Sequence, residues 1–382
     1  MFDALIQFVR DEYQSDEFIP LHAPVFRGRE REYVLETIDS TFVSSVGAFV
    51  DRFENQVAQY TGSARAVATV NGTAALHVAL RLVGVQPGDL VISQPLTFVA
   101  TCNAISYLGA EPVFIDVDRA TLGLSPRALD NWLEEHAFVD DDGLCRSRAD
   151  NKIVRACVPM HTFGHPVEIE RLVEVCRRWG VALVEDAAES LGSLYRQRHT
   201  GTFGAVGTLS FNGNKIITTG GGGMILADGA LGARAKHLTT TAKQPHPYEY
   251  VHDEVGYNYR LPNLNAALGC AQMEQLEQFV QDKRALASRY EAMLKGGSLQ
   301  FVREPEGARS NYWLNAVICQ DRAERDALLK ATNDRGVMTR PIWRLMNQLP
   351  AFAHCRHGDL SIAQWLDDRV VNLPSSPTGM QA

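Results

Sequence analysis

The sequence predicts an α/β protein: a mostly parallel central sheet with helices on both faces, then a smaller C-terminal α+β domain. Two observations carry this. From Ala66 to Glu185, short apolar runs alternate with amphipathic helical stretches, and repeated βαβ units of that kind close into a parallel sheet covered on both sides. After Pro262 a long helical pattern runs to about Lys295, followed by short strand and helix patterns. At 382 residues the chain is long enough to bury both cores. The boundary is expected near Gly256, giving a large domain of residues 1–255 with an N-terminal helical arm and a small domain of residues 256–382.

In chain order, Glu30 to Ile38 and Phe49 to Tyr60 carry apolar residues at helical spacing, separated by a polar turn at Ser44-Ser45-Val46-Gly47. Ala66 to Val70 reads as a strand, Asn71-Gly72-Thr73 as a turn, and Leu76, Ala79, Leu80 and Val83 as one face of a helix. Further strands are expected at Leu90 to Ser93, Pro112 to Asp116, Ile153 to Val158 and Val181 to Glu185. Before Val181, Ile169, Leu172, Val173, Cys176 and Trp179 share a helix face that Gly180 ends. Val139 to Asp150 is polar and reads as a surface loop or hairpin without chemistry. Proline at 262 suits the first turn of the long helix. Beyond it, Tyr312 to Cys319 and Val337 to Thr339 read as strands flanking a helix at Arg322 to Asn333.

Composition removes several functions. Apolar residues make up 45%, as in a globular protein. A net charge of −8 gives no basic face for nucleic acid or an anionic membrane. The seven cysteines are scattered and never closely paired, so neither a disulfide framework nor a zinc site is expected. His237, His246 and His252 lack a metal-like spacing, and no metal site is expected. The acidic N-terminus does not read as a signal peptide, and no apolar run approaches bilayer length; the expected location is cytoplasmic.

The chemistry concentrates in Val181 to Met224. A core strand ends in Glu185 and Asp186; a second run, Gly207 to Phe211, leads through Asn212-Gly213-Asn214 to Lys215 and the glycines Gly220 to Gly223. Ligands of parallel sheets collect at the carboxyl ends of strands, where Asn71-Gly72-Thr73, Asp186 and Lys215 all fall. Alone, Asp186 caps a loop and Lys215 is a solvated lysine. Together they suit pyridoxal phosphate, which needs a carboxylate to keep its pyridine nitrogen protonated and a lysine to hold it as a Schiff base. Gly72 and Thr73, at the start of a helix, offer an anion site for its phosphate, although an ordinary capped turn fits the same residues.

Several ordered motifs carry a resemblance across nearly the whole chain: NGTAALHVAL, TFVAT, EDAAESLG, SFNGNKIITTGGGGM, GYNYRLPNLNAALG and LPSSP. The chain resembles the DegT/DnrJ/EryC1/StrS family of sugar-nucleotide aminotransferases, which have the type I pyridoxal phosphate-dependent aminotransferase fold. The resemblance implies that Lys215 and Asp186 are catalytic, that Gly72, Thr73 and Ser210 bind phosphate, and that Phe98 stacks on the cofactor ring. It implies that Asn258 reaches the phosphate of a partner subunit, making a homodimer with shared active sites. Glu189 stands where the resemblance leads to a glutamine facing the cofactor's ring oxygen; there it is either protonated or turned elsewhere. His161 is expected either to face substrate or to be hydrogen-bonded in the core. Arg340, Trp343 and Arg344 are implied to lie near the sugar nucleotide.

IPLHAPVF, SSVGAFVDRFE and MHTFGHP look most like the LegC-type subgroup. The implied reaction moves an amino group from L-glutamate, through pyridoxamine phosphate, to UDP-4-keto-6-deoxy-N-acetylglucosamine, giving UDP-4-amino-4,6-dideoxy-N-acetylglucosamine for glycan synthesis. A different 3- or 4-keto nucleotide sugar, or a non-catalytic sensing protein on the same scaffold, is the alternative.

Overall fold

Seven short apolar runs pair into one sheet in the computed structural model, which describes residues 2–378. They are β1 (Arg65–Thr69), β2 (Leu90–Ser93), β3 (Glu111–Phe114), β4 (Val154–Val158), β5 (Ala182–Asp186), β6 (Val206–Ser210) and β7 (Gly223–Ala227). Their order is β1-β7-β6-β5-β4-β2-β3. Only the pairings of β7 with its two neighbours are antiparallel; the other four are parallel. The strands are buried almost throughout, as continuous apolar runs predict for a sheet covered on both faces.

An N-terminal layer of α1 (Asp3–Tyr13), α2 (Glu30–Asp39) and α3 (Ala48–Thr61) precedes the sheet. The crossover helices are α4 (Gly72–Leu82), α5 (Val99–Tyr107), α6 (Pro126–His136) and α7 (Ile169–Arg178), and α8 (Gly229–Thr239) follows β7. On one sheet face Leu129 and Trp132 of α6 meet Leu172 and Cys176 of α7. On the other, Leu76 and Leu80 of α4 pack with Ile105 of α5 and Leu238 of α8. Residues 137–147, where a polar surface segment is expected, form a small hairpin. All seven cysteines are buried and unpaired, filling the core as small apolar groups.

The long helix expected after Pro262 is two helices, α9 (Asn263–Met273) and α10 (Leu276–Leu294). At the break, Glu274 takes hydrogen bonds from Tyr33 and Arg52, and Gln275 donates to Glu30 at 2.7 Å. Side chains held by α2 and α3 bend the chain where sequence periodicity runs on. Ala266, Ala267 and Cys270 of α9 pack with Phe53 and Val57 of α3.

Beyond α10 lies an antiparallel sheet of β8 (Gln300–Phe301), β9 (Asn315–Ile318), β10 (Arg340–Pro341) and β11 (Val370–Leu373), ordered β8-β9-β11-β10. Helices α11 (Arg322–Asn333) and α12 (Ser361–Asp367) accompany it. The strand expected at Val337 to Thr339 appears instead at β10. Val337 lies opposite Ile19 of the N-terminal segment in a parallel bridge, in which the Ile19 N–H donates to the Gly336 carbonyl and the Met338 N–H to the Ile19 carbonyl, so that stretch pairs away from the small sheet.

Candidate active site

The carboxyl ends of β1, β5 and β6 open into a cleft of ≈ 270 Å³. Gly72, Thr73, Phe98, Asp186, Glu189, Ser210, Lys215 and Trp343 line it, together with Asn71, Met160, Asn212, Asn214 and Trp313. Residues more than a hundred positions apart meet there because adjacent parallel strands end on the same side of the sheet.

At the start of α4, the Asn71 side chain caps the helix by accepting from the Ala74 N–H at 2.8 Å. The N–H groups of Gly72 and Thr73 have no hydrogen-bond partner among the described residues and open toward the cleft they line. A Cβ at Gly72 would lie 2.9 Å from Ser210 Cβ, so only glycine lets the two strand ends approach this closely. These donors and the Ser210 hydroxyl make a cradle suited to an anionic oxygen cluster.

Asp186 ends β5, 3% exposed. Its Oδ2 accepts from Thr101 Oγ1 at 2.7 Å, and its Oδ1 accepts from the Ala188 N–H at 3.2 Å. Burial raises its pKa against these donors and the nearby Lys215. A buried carboxylate of this kind is stabilised by a cationic partner, which the protonated pyridine nitrogen of pyridoxal phosphate supplies. Phe98 sits at the N-cap of α5 and is 51% exposed, lining the cleft. Phosphate cradle, buried carboxylate, lysine and aromatic platform together fit that cofactor.

Lys215 follows β6, and its Nζ lies 3.3 Å from Glu189 Oε1. Glu189 Oε2 accepts from the Phe163 N–H at 2.9 Å. That donor is aimed by a left-handed backbone at Phe163, φ 56°, a conformation that costs a non-glycine residue energy and needs surrounding support. Burial pushes the Glu189 carboxyl up to about 7, Lys215 and Phe163 opposing it and Asp186 adding to it. Both Glu189 oxygens therefore accept from N–H donors in this arrangement.

Four expected residues lie outside the cleft. His161 is fully buried: Nδ1 accepts from the Val167 N–H at 3.2 Å, and Nε2 lies 3.0 Å from Glu185 Oε2. With Nδ1 accepting, Nε2 carries the proton and donates to Glu185, so of the two readings expected for His161 the structure has the core one and not the substrate-facing one. Glu185 also accepts from the N–H groups of Gly201, Phe203 and Gly204. Burial raises its pKa, but His161 and the glycine donors outweigh this and hold it below the ordinary value. Asn258 is exposed and accepts from its own chain's Arg260 at 3.1 and 3.0 Å.

Neither arginine implied to lie near the sugar nucleotide lines this cleft. Arg340 is exposed on the edge strand β10, and Arg344 lines a separate groove with Arg322, Arg325 and Asp367. Ile342 packs into the small-sheet core while Trp343 turns to the cleft, its ring 5.1 Å from that of Phe163; the intervening anchors turn both guanidinium groups outward. Thr101 and Trp313 escaped the sequence reading. Thr101 lies three residues past Phe98 in the motif already singled out, a signal that was available; nothing in the sequence ties Trp313 to Lys215.

Fold and cleft define a pyridoxal phosphate-dependent aminotransferase. The chain belongs to the DegT/DnrJ/EryC1/StrS aminotransferase family, matching it over residues 25–381, and acts within a family of sugar-nucleotide aminotransferases. It is 36% identical to the GDP-perosamine synthase of Escherichia coli O157:H7 over 363 residues, 95% of this chain and 94% of that protein. The GDP-perosamine synthase of Vibrio cholerae is 34% identical, with 94% of each chain covered. Among solved structures, the aminotransferase TlmJ from Streptoalloteichus hindustanus superposes with a TM-score of 0.84 at 29% identity, covering 94% of this chain and 93% of that one. The two synthases are named for a GDP-linked sugar, where the subgroup resemblance implies a UDP-linked one. No helix among the described residues is long and apolar enough to cross a membrane.

Proposed function

We propose that this chain transfers an amino group from L-glutamate to a nucleotide-linked 4-keto-6-deoxy sugar, with Lys215 and Asp186 as its catalytic residues. The observation that carries this reading is the meeting of Lys215, Asp186 and the Gly72–Thr73–Ser210 cradle in one cleft. When bound, the cofactor supplies an aldehyde that takes up the amino group and a ring that accepts an electron pair. Asp186, fixed by Thr101 and Ala188, holds the proton on the ring nitrogen. Gly72, Thr73 and Ser210 bind the phosphate, and Phe98 covers one ring face. Lys215 Nζ would carry a proton from the donor's α-carbon to the cofactor carbon that holds the nitrogen, and in the second half-reaction from that carbon to the sugar carbon that receives nitrogen. Glu189 faces the ring oxygen and holds a proton in the lower part of the neutral pH range.

Asn258 is proposed to complete the phosphate site of a partner subunit, so that the working form is a homodimer. Its exposure and its absence from its own chain's cleft lining support that role. The sequence resemblance favours UDP-4-keto-6-deoxy-N-acetylglucosamine as acceptor, whereas the names of the relatives favour a GDP-linked sugar. Borohydride reduction of the yellow protein is expected to fix the cofactor on the peptide containing Lys215; label on any other lysine refutes the reading. Mixing the pyridoxamine phosphate form with UDP- and GDP-linked 4-keto sugars, and following recovery of the aldehyde absorbance, then distinguishes the acceptors.

A further inference from the structure

A single bracket of hydrogen bonds sets two groups around Lys215 Nζ. Asn311 donates from Nδ2 to the carbonyls of Glu189 and Leu191, both at 2.9 Å, and its own N–H donates to Ser193 Oγ at 2.9 Å. Asn311 Oδ1 accepts from the Trp313 N–H at 2.8 Å, spanning Tyr312, whose φ of 46° is unusual for a tyrosine. The segment bearing Trp313 is thereby tied to the segment bearing Glu189. The indole N–H of Trp313 donates to the carbonyl of Asn214 at 2.7 Å, one residue before Lys215. That bond sets the roll of the ring, and its face meets Lys215 Nζ at 4.1 Å from the centroid. Trp313 is 4% exposed and the Lys215 side chain 13%, so little water competes for the ammonium.

We propose that the indole face of Trp313 is the platform on which the Lys215 amine rests whenever it is not bonded to the cofactor. Trp313 is then a positioning residue for the proton-carrying lysine. The inference rests on the reading of Lys215 as the catalytic lysine. An ammonium over an indole is attracted by the negative face of the ring, most strongly where it is desolvated. With Glu189 on another side, the platform confines an otherwise flexible four-carbon side chain, and proton transfer benefits from confinement because it needs the donor atom within hydrogen-bond reach. The small-sheet side of the molecule thus contributes directly to the geometry of a lysine carried by the large sheet.

The test uses holoenzyme in the pyridoxamine phosphate form, in which Lys215 is a free amine, and compares wild type with Trp313→Phe and Trp313→Leu. Borohydride trapping of the aldehyde form first checks Lys215 itself, so failure of that reading is seen separately. Peptide-resolved reductive methylation is expected to label Lys215 about tenfold faster in Trp313→Leu, and within about threefold of wild type in Trp313→Phe, which keeps a π face. In turnover, Trp313→Leu is expected to lower kcat and raise the isotope effect from α-deuterated donor, leaving KM for the keto sugar unchanged. Equal labelling in all three proteins overturns the proposal. So does a Phe variant as reactive as the Leu variant, since the indole N–H bond and not the ring face would then be what matters. Should Trp313→Leu fail to fold, Trp313→Met fills the space without a π face and is read by the same criteria.

Discussion

Replacing Glu189 by glutamine removes a titration that burial creates. The carboxyl rises from an ordinary value of 4.5 to about 7, a difference of about 3 kcal/mol between its charged and neutral forms. For an acid whose folded pKa is raised, the folded state binds the proton more tightly than the unfolded chain. The penalty is absent below about pH 4.5 and complete above about pH 7, so stability is lost as pH rises through that window. Glutamine does not titrate; its amide also offers only one acceptor where the Phe163 N–H and Lys215 Nζ now find two, a constant cost of about 1–2 kcal/mol. The stability of Glu189→Gln relative to wild type is therefore expected to improve by up to ~3 kcal/mol between pH 4.5 and 7.5. Urea unfolding of cofactor-free protein at half-unit pH steps measures it. Activity follows the same group: with a pKa of about 7, wild type is expected to fade at alkaline pH while Glu189→Gln does not, and Glu189→Ala to lose more at every pH. Stability curves and rate profiles that run parallel from pH 5 to 8 refute the reasoning and leave Glu189 as a structural acceptor.

Gly72→Ala places a methyl group 2.9 Å from Ser210 Cβ; equilibrium titration is expected to show cofactor affinity weakened at least about tenfold, and urea unfolding a loss of about 1–3 kcal/mol. Lys215→Ala and Asn258→Ala are each expected to be inactive or impaired, and mixed dimers to regain one intact site; no recovery once subunit exchange is demonstrated refutes the shared site. Glu185→Ala strands the His161 N–H and the N–H groups of Gly201, Phe203 and Gly204, and thermal or urea unfolding is expected to show a loss of about 3–5 kcal/mol.

Six of the seven strands of the large sheet were legible because each is a short, nearly uninterrupted apolar run ending in polar or turn residues; β7, antiparallel to both its neighbours, was not read as a strand behind the glycines Gly220 to Gly223. The α7 face shows how far periodicity carries: Ile169, Leu172 and Cys176 are buried as expected, and Val173 and Trp179 pack at the rim of the same core. Periodicity failed at Glu274 and Gln275, where both residues suit a helix and the break comes from hydrogen bonds to Tyr33, Arg52 and Glu30. It failed again at Val337, whose backbone pairs with Ile19. Local propensity carries no term for a partner 318 residues away, so neither departure was available from pattern alone.

The sequence by itself determined the kind of protein this is: alternating strands and helices, with Asp186, Lys215 and Asn71-Gly72-Thr73 at strand ends, place those groups on one rim of the sheet. Only the tertiary structure decided which way side chains turn. It buried His161 against Glu185, sent Arg340 and Arg344 away from Trp343, and brought Trp313, 98 positions beyond Lys215, to the lysine's side. The physical reason is that strand ends are set by local apolar pattern. Side-chain direction instead depends on hydrogen bonds such as that from Asn311 to the Glu189 carbonyl, which form only once distant segments are packed together.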